Sequence, residues 1–225
     1  MKSTLFALIV LCAVGIFAQE PGAGAGAAKG KGGARPAPQP PQLVLKEVWK
    51  DGPGNVPLTP DAVTNSDLVL AQYPGTNKED FGITAEGGVP HIWTGLCASS
   101  CALTLSSKTN LFDLTGKAHI RWYLKTSGFH RVHPVLKLAD GSFVIGDYAA
   151  EEVFDYKVFE FFPSQVHWLK LDMPKVQTKG TLLDKVDLSK VEAVGFADLT
   201  PGSGHGLGGF SDMGWMEVYG KAVAR

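Results

Sequence analysis

Short apolar runs rich in β-branched and aromatic residues recur from Leu43 to Arg225, each closed off by Gly, Pro, Asn or Asp. The sharpest is His119-Ile-Arg-Trp-Tyr-Leu-Lys125. Ile120, Trp122 and Leu124 fall on one face of it, and His119, Arg121, Tyr123 and Lys125 on the other, the period of a half-buried antiparallel strand. Nine further runs read as strands: Leu43–Trp49, Leu68–Tyr73, Ala102–Ser106, Val132–Leu138, Phe143–Tyr148, Phe154–Phe162, His167–Asp172, Val191–Leu199 and Trp215–Tyr219. Ten short strands with no long amphipathic helix predict an all-β domain, an antiparallel β-sandwich or jelly roll. Asp140-Gly141 is expected to form a two-residue hairpin turn joining Val132–Leu138 to Phe143–Tyr148. Leu182 to Lys190 is expected to hold a helical turn, with Asp184 and Asp187 as capping residues. No internal repeat is visible, which excludes a propeller or solenoid.

Phe112-Asp-Leu-Thr-Gly116, Val186-Asp-Leu-Ser-Lys-Val-Glu-Ala-Val-Gly-Phe196 and Trp215-Met-Glu-Val-Tyr-Gly220 resemble strand-and-turn phrases of galactose-binding-like β-sandwiches. The resemblance covers roughly residues 110 to 220. It implies the jelly roll shared by many carbohydrate-binding modules and extracellular accessory domains, and with it a carbohydrate ligand. Because such folds host many functions, the ligand must be argued from the site itself.

The first 41 residues carry a different message. Met1 and Lys2 precede 13 apolar residues, Leu5 to Phe17, too few for a spanning helix of about 20. The pattern reads as a signal peptide, residues 1–18, cleaved near Ala18 with loss of Cys12. Gln19 to Pro41 has no apolar face and reads as a disordered Gly/Ala/Pro-rich linker. The single folded domain is then 42–225, exported to the periplasm or secreted, monomeric, and without stable membrane insertion. The whole chain carries a charge of −1. With Lys2, Lys29, Lys31, Arg35 and Glu20 set aside, 17 bases and 21 acids remain. Nothing in that balance points to a nucleic-acid partner.

Catalytic signatures are missing. There is no Gly-x-Ser-x-Gly elbow, and Gly204-His-Gly-Leu-Gly-Gly209 precedes a strand where a dinucleotide fingerprint must open a helix. The acidic stretch around Glu151, Glu152, Asp155 and Glu160 lacks the alternating carboxylates of jelly-roll glucanases and reads as a solvated loop and an edge strand. A glycoside-processing enzyme using Asp147, Glu151 or Glu152 is the alternative function, and an envelope protein-interaction domain a third. His130 and His133, three apart, would face opposite ways on a regular strand, so no transition-metal site is expected. Asp51, Asp61 and Glu217 are conceivable calcium ligands whose spacing singles out nothing. No cofactor is expected.

Cys97-Ala-Ser-Ser-Cys101 remains after export, and three intervening residues allow a turn within bridging reach. A structural disulfide bracing the loop behind Trp93 is expected. Trp49, Trp122 and Trp168 lie in apolar runs and belong to the core, while Trp215 fits either role. Trp93 is the tryptophan best placed for exposure and for stacking on a sugar ring. Arg131 could fork onto hydroxyls, and the Gly-rich loop from Thr200 to Asp212 carries His205. A ligand site built by Trp93, His130, Arg131, His133 and His205, on loops at one end of the sandwich, is the resulting expectation.

Overall fold

The computed structural model describes residues 39–52, 56–75, 81–151, 153–202 and 209–225. The signal segment, nearly all of the linker, Glu152 and His205 lie outside the described residues. Fifteen strands make up the described domain. They are β1 (Gln42–Glu47), β2 (Val56–Pro57), β3 (Leu68–Tyr73), β4 (Gly82–Glu86), β5 (Val89–Trp93), β6 (Cys101–Ser107), β7 (Asn110–Asp113) and β8 (His119–Ser127). β9 (Val132–Leu138), β10 (Phe143–Gly146), β11 (Val153–Phe161), β12 (Trp168–Asp172), β13 (Gln177–Leu182), β14 (Val191–Asp198) and β15 (Phe210–Ala224) follow.

All pairings are antiparallel. A front sheet runs β11–β8–β15; β15 then takes β1 and β5 as neighbours along its other edge, and β4 and β2 follow β5. A back sheet runs β13–β12–β10–β9–β14–β6–β3. β7 ties the two together, pairing with β14 and with the last residues of β15. The architecture is an antiparallel β-sandwich of jelly-roll type, as the alternating strands predict.

The core lies between the sheets. Ile120, Trp122, Leu124, Met216 and Val218 from the front sheet meet Leu103, Leu105, Leu136, Val194 and Phe196 from the back sheet, all buried. Period-two alternation along β8 does what its sequence requires, burying every second residue and leaving Arg121, Tyr123 and Lys125 half-buried on the outside. Trp49, Trp122 and Trp168 are core residues, as expected. The back sheet is apolar on both faces: Val135, beside the core residue Leu136, joins Ala102, Ile145, Leu171, Met173, Val176 and Ala197 in a second cluster.

Local turns refine the expectations. β9 pairs with β10 as anticipated, but Leu138 N donates to the Ser142 carbonyl, which makes the loop three residues long with Gly141 at φ 83°. No helical turn occupies 182–190; β13 extends to Leu182, and the Asp187 carboxylate accepts from Ser189 N and Oγ, which closes a tight turn instead. Among the described residues, three single-turn helices lie at Pro60–Ala62, Pro163–Gln165 and Met173–Lys175. Each has a proline in its first turn. Cys97 and Cys101 are bridged, with Cα atoms 6.2 Å apart, and fasten the loop after β5 to the first residue of β6. Among the described residues no helix is long and apolar enough to cross a membrane.

Candidate functional site

The outer face of the front sheet carries a connected array of aromatic and charged side chains. Register dictates its composition. β8 and β15 place His119 opposite Tyr219, Arg121 opposite Glu217, Tyr123 opposite Trp215 and Lys125 opposite Asp212. A register shift between Met213 and Trp215 keeps Asp212 and Trp215 on the same outer face. Across β15, Asp212 also lies opposite Trp93 of β5, so His91, two residues earlier, shares that face.

The rings form a platform. Tyr123 stacks on Trp215, with centroids 5.5 Å apart and planes 15° apart, and on Tyr156 of β11 at 5.1 Å and 25°. His119 stacks on Tyr219 at 4.4 Å. The Arg121 guanidinium lies 5.6 Å from the Trp215 ring, and the Lys125 ammonium 5.2 Å from Tyr156 and 5.6 Å from Phe210. Tyr156 also comes within 5.8 Å of His91 on the far side of β15, so its ring reaches across two strands. Trp93 is half-buried against bare backbone. A Cβ at Gly82 would meet its Cε3 at 3.0 Å, and one at Gly95 would run into its indole.

Each cation on the face has a carboxylate partner. Lys46 donates to Glu217 at 3.0 Å, Arg121 reaches Glu217 at 3.0 Å and Glu160 at 3.5 Å, and Lys125 bridges Glu86 and, at 3.4 Å, Asp212. The Lys125 hydrogen bond holds Glu86 below the usual carboxylate range. For Glu217, burial pushes upward, but the hydrogen bonds from Lys46 and Tyr219 and the charge of Arg121 outweigh it, and the net shift is downward. Asp212 goes the other way: burial pushes it up to about 6, despite His91 and Lys125 beside it. Burial likewise raises Tyr156.

Asp212 therefore makes a pH-dependent contribution to stability. Its folded pKa lies above the unfolded one, so stability is fully present below pH 3.8 and is lost as pH rises through about 6. The loss is on the order of 3 kcal/mol. Glu86 and Glu217 act with the opposite sign, so the effect is isolated by comparing Asp212→Asn with the parent chain. The variant's melting temperature, relative to the parent, should rise between pH 4 and pH 7. A difference independent of pH would contradict the assignment.

Of the residues singled out in the sequence, Trp93 lies on this face. His130 is 1% exposed and lies between the sheets, where its Nδ1 is 2.6 Å from Asp198 Oδ2. Thr94 Oγ1 and Ser211 Oγ donate to the same oxygen at 3.0 and 2.8 Å, and Thr200 N donates to Oδ1 at 3.1 Å. This network anchors Thr94, the residue after Trp93. His133 lies opposite Ala197 on the outer side of the back sheet, its Nδ1 3.2 Å from the Gly146 carbonyl, and burial lowers its pKa. Arg131 is exposed between the two histidines. Trp93 and His133 thus occupy opposite outer faces of the sandwich, and the structure gathers no loop-end cleft from them.

Tyr123, Tyr156, Asp212, Trp215 and His91 were not singled out as site residues from the sequence. One usable signal was the Gly87-Gly88 pair, which turns β4 into β5 with φ of 57° and 80° and places His91 and Trp93 on one strand face. Among the described residues, no group of three His, Cys, Asp or Glu side chains is placed to hold a metal ion.

The face is built to stack and to hydrogen-bond. Glu86 and Asp212 approach each other, but the Lys125 ammonium lies between them, where a glycosidase would need the scissile bond. Asp147 accepts from His167 N at 3.0 Å and pairs with His167 Nδ1 at 2.8 Å, which engages both its oxygens.

No family model and no curated protein matches the chain. Among solved structures it is similar to a family 11 carbohydrate-binding module from Clostridium thermocellum in complex with a β-1,3-1,4-mixed-linked tetrasaccharide. The identity is 15%, the coverage 80% of this chain and 98% of that one, and the TM-score 0.43. A mutant family 29 carbohydrate-binding module matches at 11% identity over 77% of this chain and 91% of that one, with a TM-score of 0.42. An agarase matches at 8% identity and a TM-score of 0.40, over 72% of this chain and 23% of the agarase. All three likenesses are remote, and the geometry of the front face stands without them.

Proposed function

We propose that the domain is a non-catalytic carbohydrate-binding module, exported by its N-terminal segment, and that its site is the outer face of the front sheet. The observation that carries this reading is the half-buried platform of Trp215, Tyr123 and Tyr156, fixed by stacking and by paired charges. Flat rings offer apolar area to the C–H face of a pyranose at little entropic cost, and side-chain carboxylates and ammonium groups around them can reach its hydroxyls. The solved carbohydrate-binding modules that the chain resembles bear the same architecture, which supports the reading without locating the site. Relative to the loop-end site expected from the sequence, Trp93 keeps a contact role, whereas His130 is a positioning residue acting through Asp198 and Thr94. Arg131 and His133 are left without a role in this face.

A glycan-array screen of the purified protein tests the function. Saturable binding to one family of glycans is expected. Absence of binding to every glycan would overturn the carbohydrate reading.

A further inference from the structure

The back sheet is apolar on its outer face as well, and the chain covers only part of that face. Met173, in the single-turn helix after β12, and Val176 pack onto it. Val176 is fully buried at φ 48°, a conformation that a branched Cβ resists, and it turns the chain back so that β13 pairs with β12. Beside this turn a cavity of about 670 Å³ opens along β10, β12 and β13, a volume typical of ligand sites. Phe143, Leu171 and Met173 form its apolar wall. Phe143 is half-buried, with Tyr73 edge-on to its ring at 5.5 Å and Lys137 5.9 Å away.

Charge distinguishes this groove from the front face. Lys170 and Lys179 line it, both exposed, and make no ion pair among the described residues. The carboxylate in the lining, Asp172, is matched by Lys175 at 3.8 Å, and Lys137 is matched by Glu192. An adjoining cavity of about 460 Å³ shares Ser142, Phe143 and Lys170, and there Lys185 and Lys190 are balanced by Asp140 and Asp187. The excess positive charge thus belongs to Lys170 and Lys179. On the front face, by contrast, Lys46, Arg121 and Lys125 are each neutralised by carboxylates.

We propose that this groove is a second glycan site, on the outer face opposite the first, for a sugar chain carrying carboxylate or sulfate groups. Lys170 and Lys179 pair with its anions, and Phe143 offers an apolar ring to a pyranose. Ser142, Gln177 and Thr181 complete the lining with the neutral donors and acceptors that sugar hydroxyls use. The chain's own linker is not the occupant, since Lys29, Lys31 and Arg35 outnumber Glu20 and share the sign of the groove. Nor is β13 a template for a peptide strand: its pairing with β12 is irregular, and Gly180 sits at φ 73°. Exposed ammonium groups are screened at ordinary ionic strength, which makes this the weaker site and leaves a glycan array to report the front face. The groove uses no front-face residue, so either reading can fail alone.

The experiment is calorimetry on the intact chain in about 20 mM salt. A galacturonic acid hexamer and a heparin hexasaccharide are the acidic probes and cellohexaose the neutral one; the acidic pair identifies the anion. Binding of an acidic probe is expected, roughly tenfold weaker in the double variant Lys170→Gln, Lys179→Gln and unchanged in Trp215→Ala. Phe143→Leu, which keeps an apolar side chain but removes the flat ring, should weaken it too. Failure of both acidic probes to bind, or binding to the double variant as to the parent, would overturn the proposal. So would loss of acidic binding in Trp215→Ala, which would move the ligand to the front face, or indifference to Phe143→Leu, which would reduce the groove to charge attraction. If the double variant weakened cellohexaose equally, the selection by charge would be refuted.

Discussion

Asp198→Ala is expected to cost about 3–5 kcal/mol of folding stability, a large share of what a domain this size holds. Asp198 is fully buried and accepts from Thr94, Ser211 and Thr200 while pairing with His130. Truncation leaves the His130 ring, itself 1% exposed, and two hydroxyls without their acceptor between the sheets. The melting temperature should fall by roughly 10 °C. Asp187→Ala, which removes only an exposed turn acceptor, should leave it nearly unchanged. Equal effects of the two substitutions would show that the Asp198 network does not brace this end of the sandwich. Because Ser211 N also donates to Thr94 Oγ1 at 2.8 Å, loosening the network should be felt at Trp93 as altered tryptophan fluorescence.

Trp215→Ala is expected to weaken glycan affinity by roughly 10- to 100-fold with the fold intact. The magnitude follows from losing one aromatic stacking surface, about 1.5–3 kcal/mol. Trp215 also carries its neighbours: Tyr123 stacks on it and Arg121 lies over it, so its loss disorders the middle of the platform. Phe154→Ala provides the contrast. That ring is 76% exposed on β11, outside the described stacks, and its removal should leave affinity within about twofold. Titration calorimetry of both variants against the best array glycan checks the pair. If affinity falls with Phe154 and holds with Trp215, the ligand sits elsewhere.

Much of this face could be read from a single strand. The alternation in His119–Lys125 already separates Ile120, Trp122 and Leu124 from Arg121, Tyr123 and Lys125, and the structure buries the first set and presents the second. His133 faces outward on β9, but His130 lies in the turn before that strand, and its inward placement comes from its pairing with Asp198 and not from strand parity. What the sequence did not reveal is which strands lie side by side. Asp212 acquires its chemistry from Lys125 on β8, His91 on β5 and Tyr156 on β11, partners joined only by non-local pairing. The β4–β5 hairpin was missed because Pro90 and two glycines interrupt a short apolar run. Histidine and arginine near a turn suggested a cleft because polar residues cluster there. Of that cluster His130 is packed inside against Asp198, whereas Arg131 is exposed and His133 lies on the outer side of the back sheet.

The most direct test of the account is a chemical-shift map. Isotope-labelled protein titrated with the best array glycan should show its largest perturbations on the front face, at Tyr123, Tyr156, Asp212 and the Trp215 indole N–H, with Trp93 at the border. The back-sheet residues around His133 should stay put. Perturbations confined to Arg131, His133 and the loop that carries His205, with the front face silent, would contradict it.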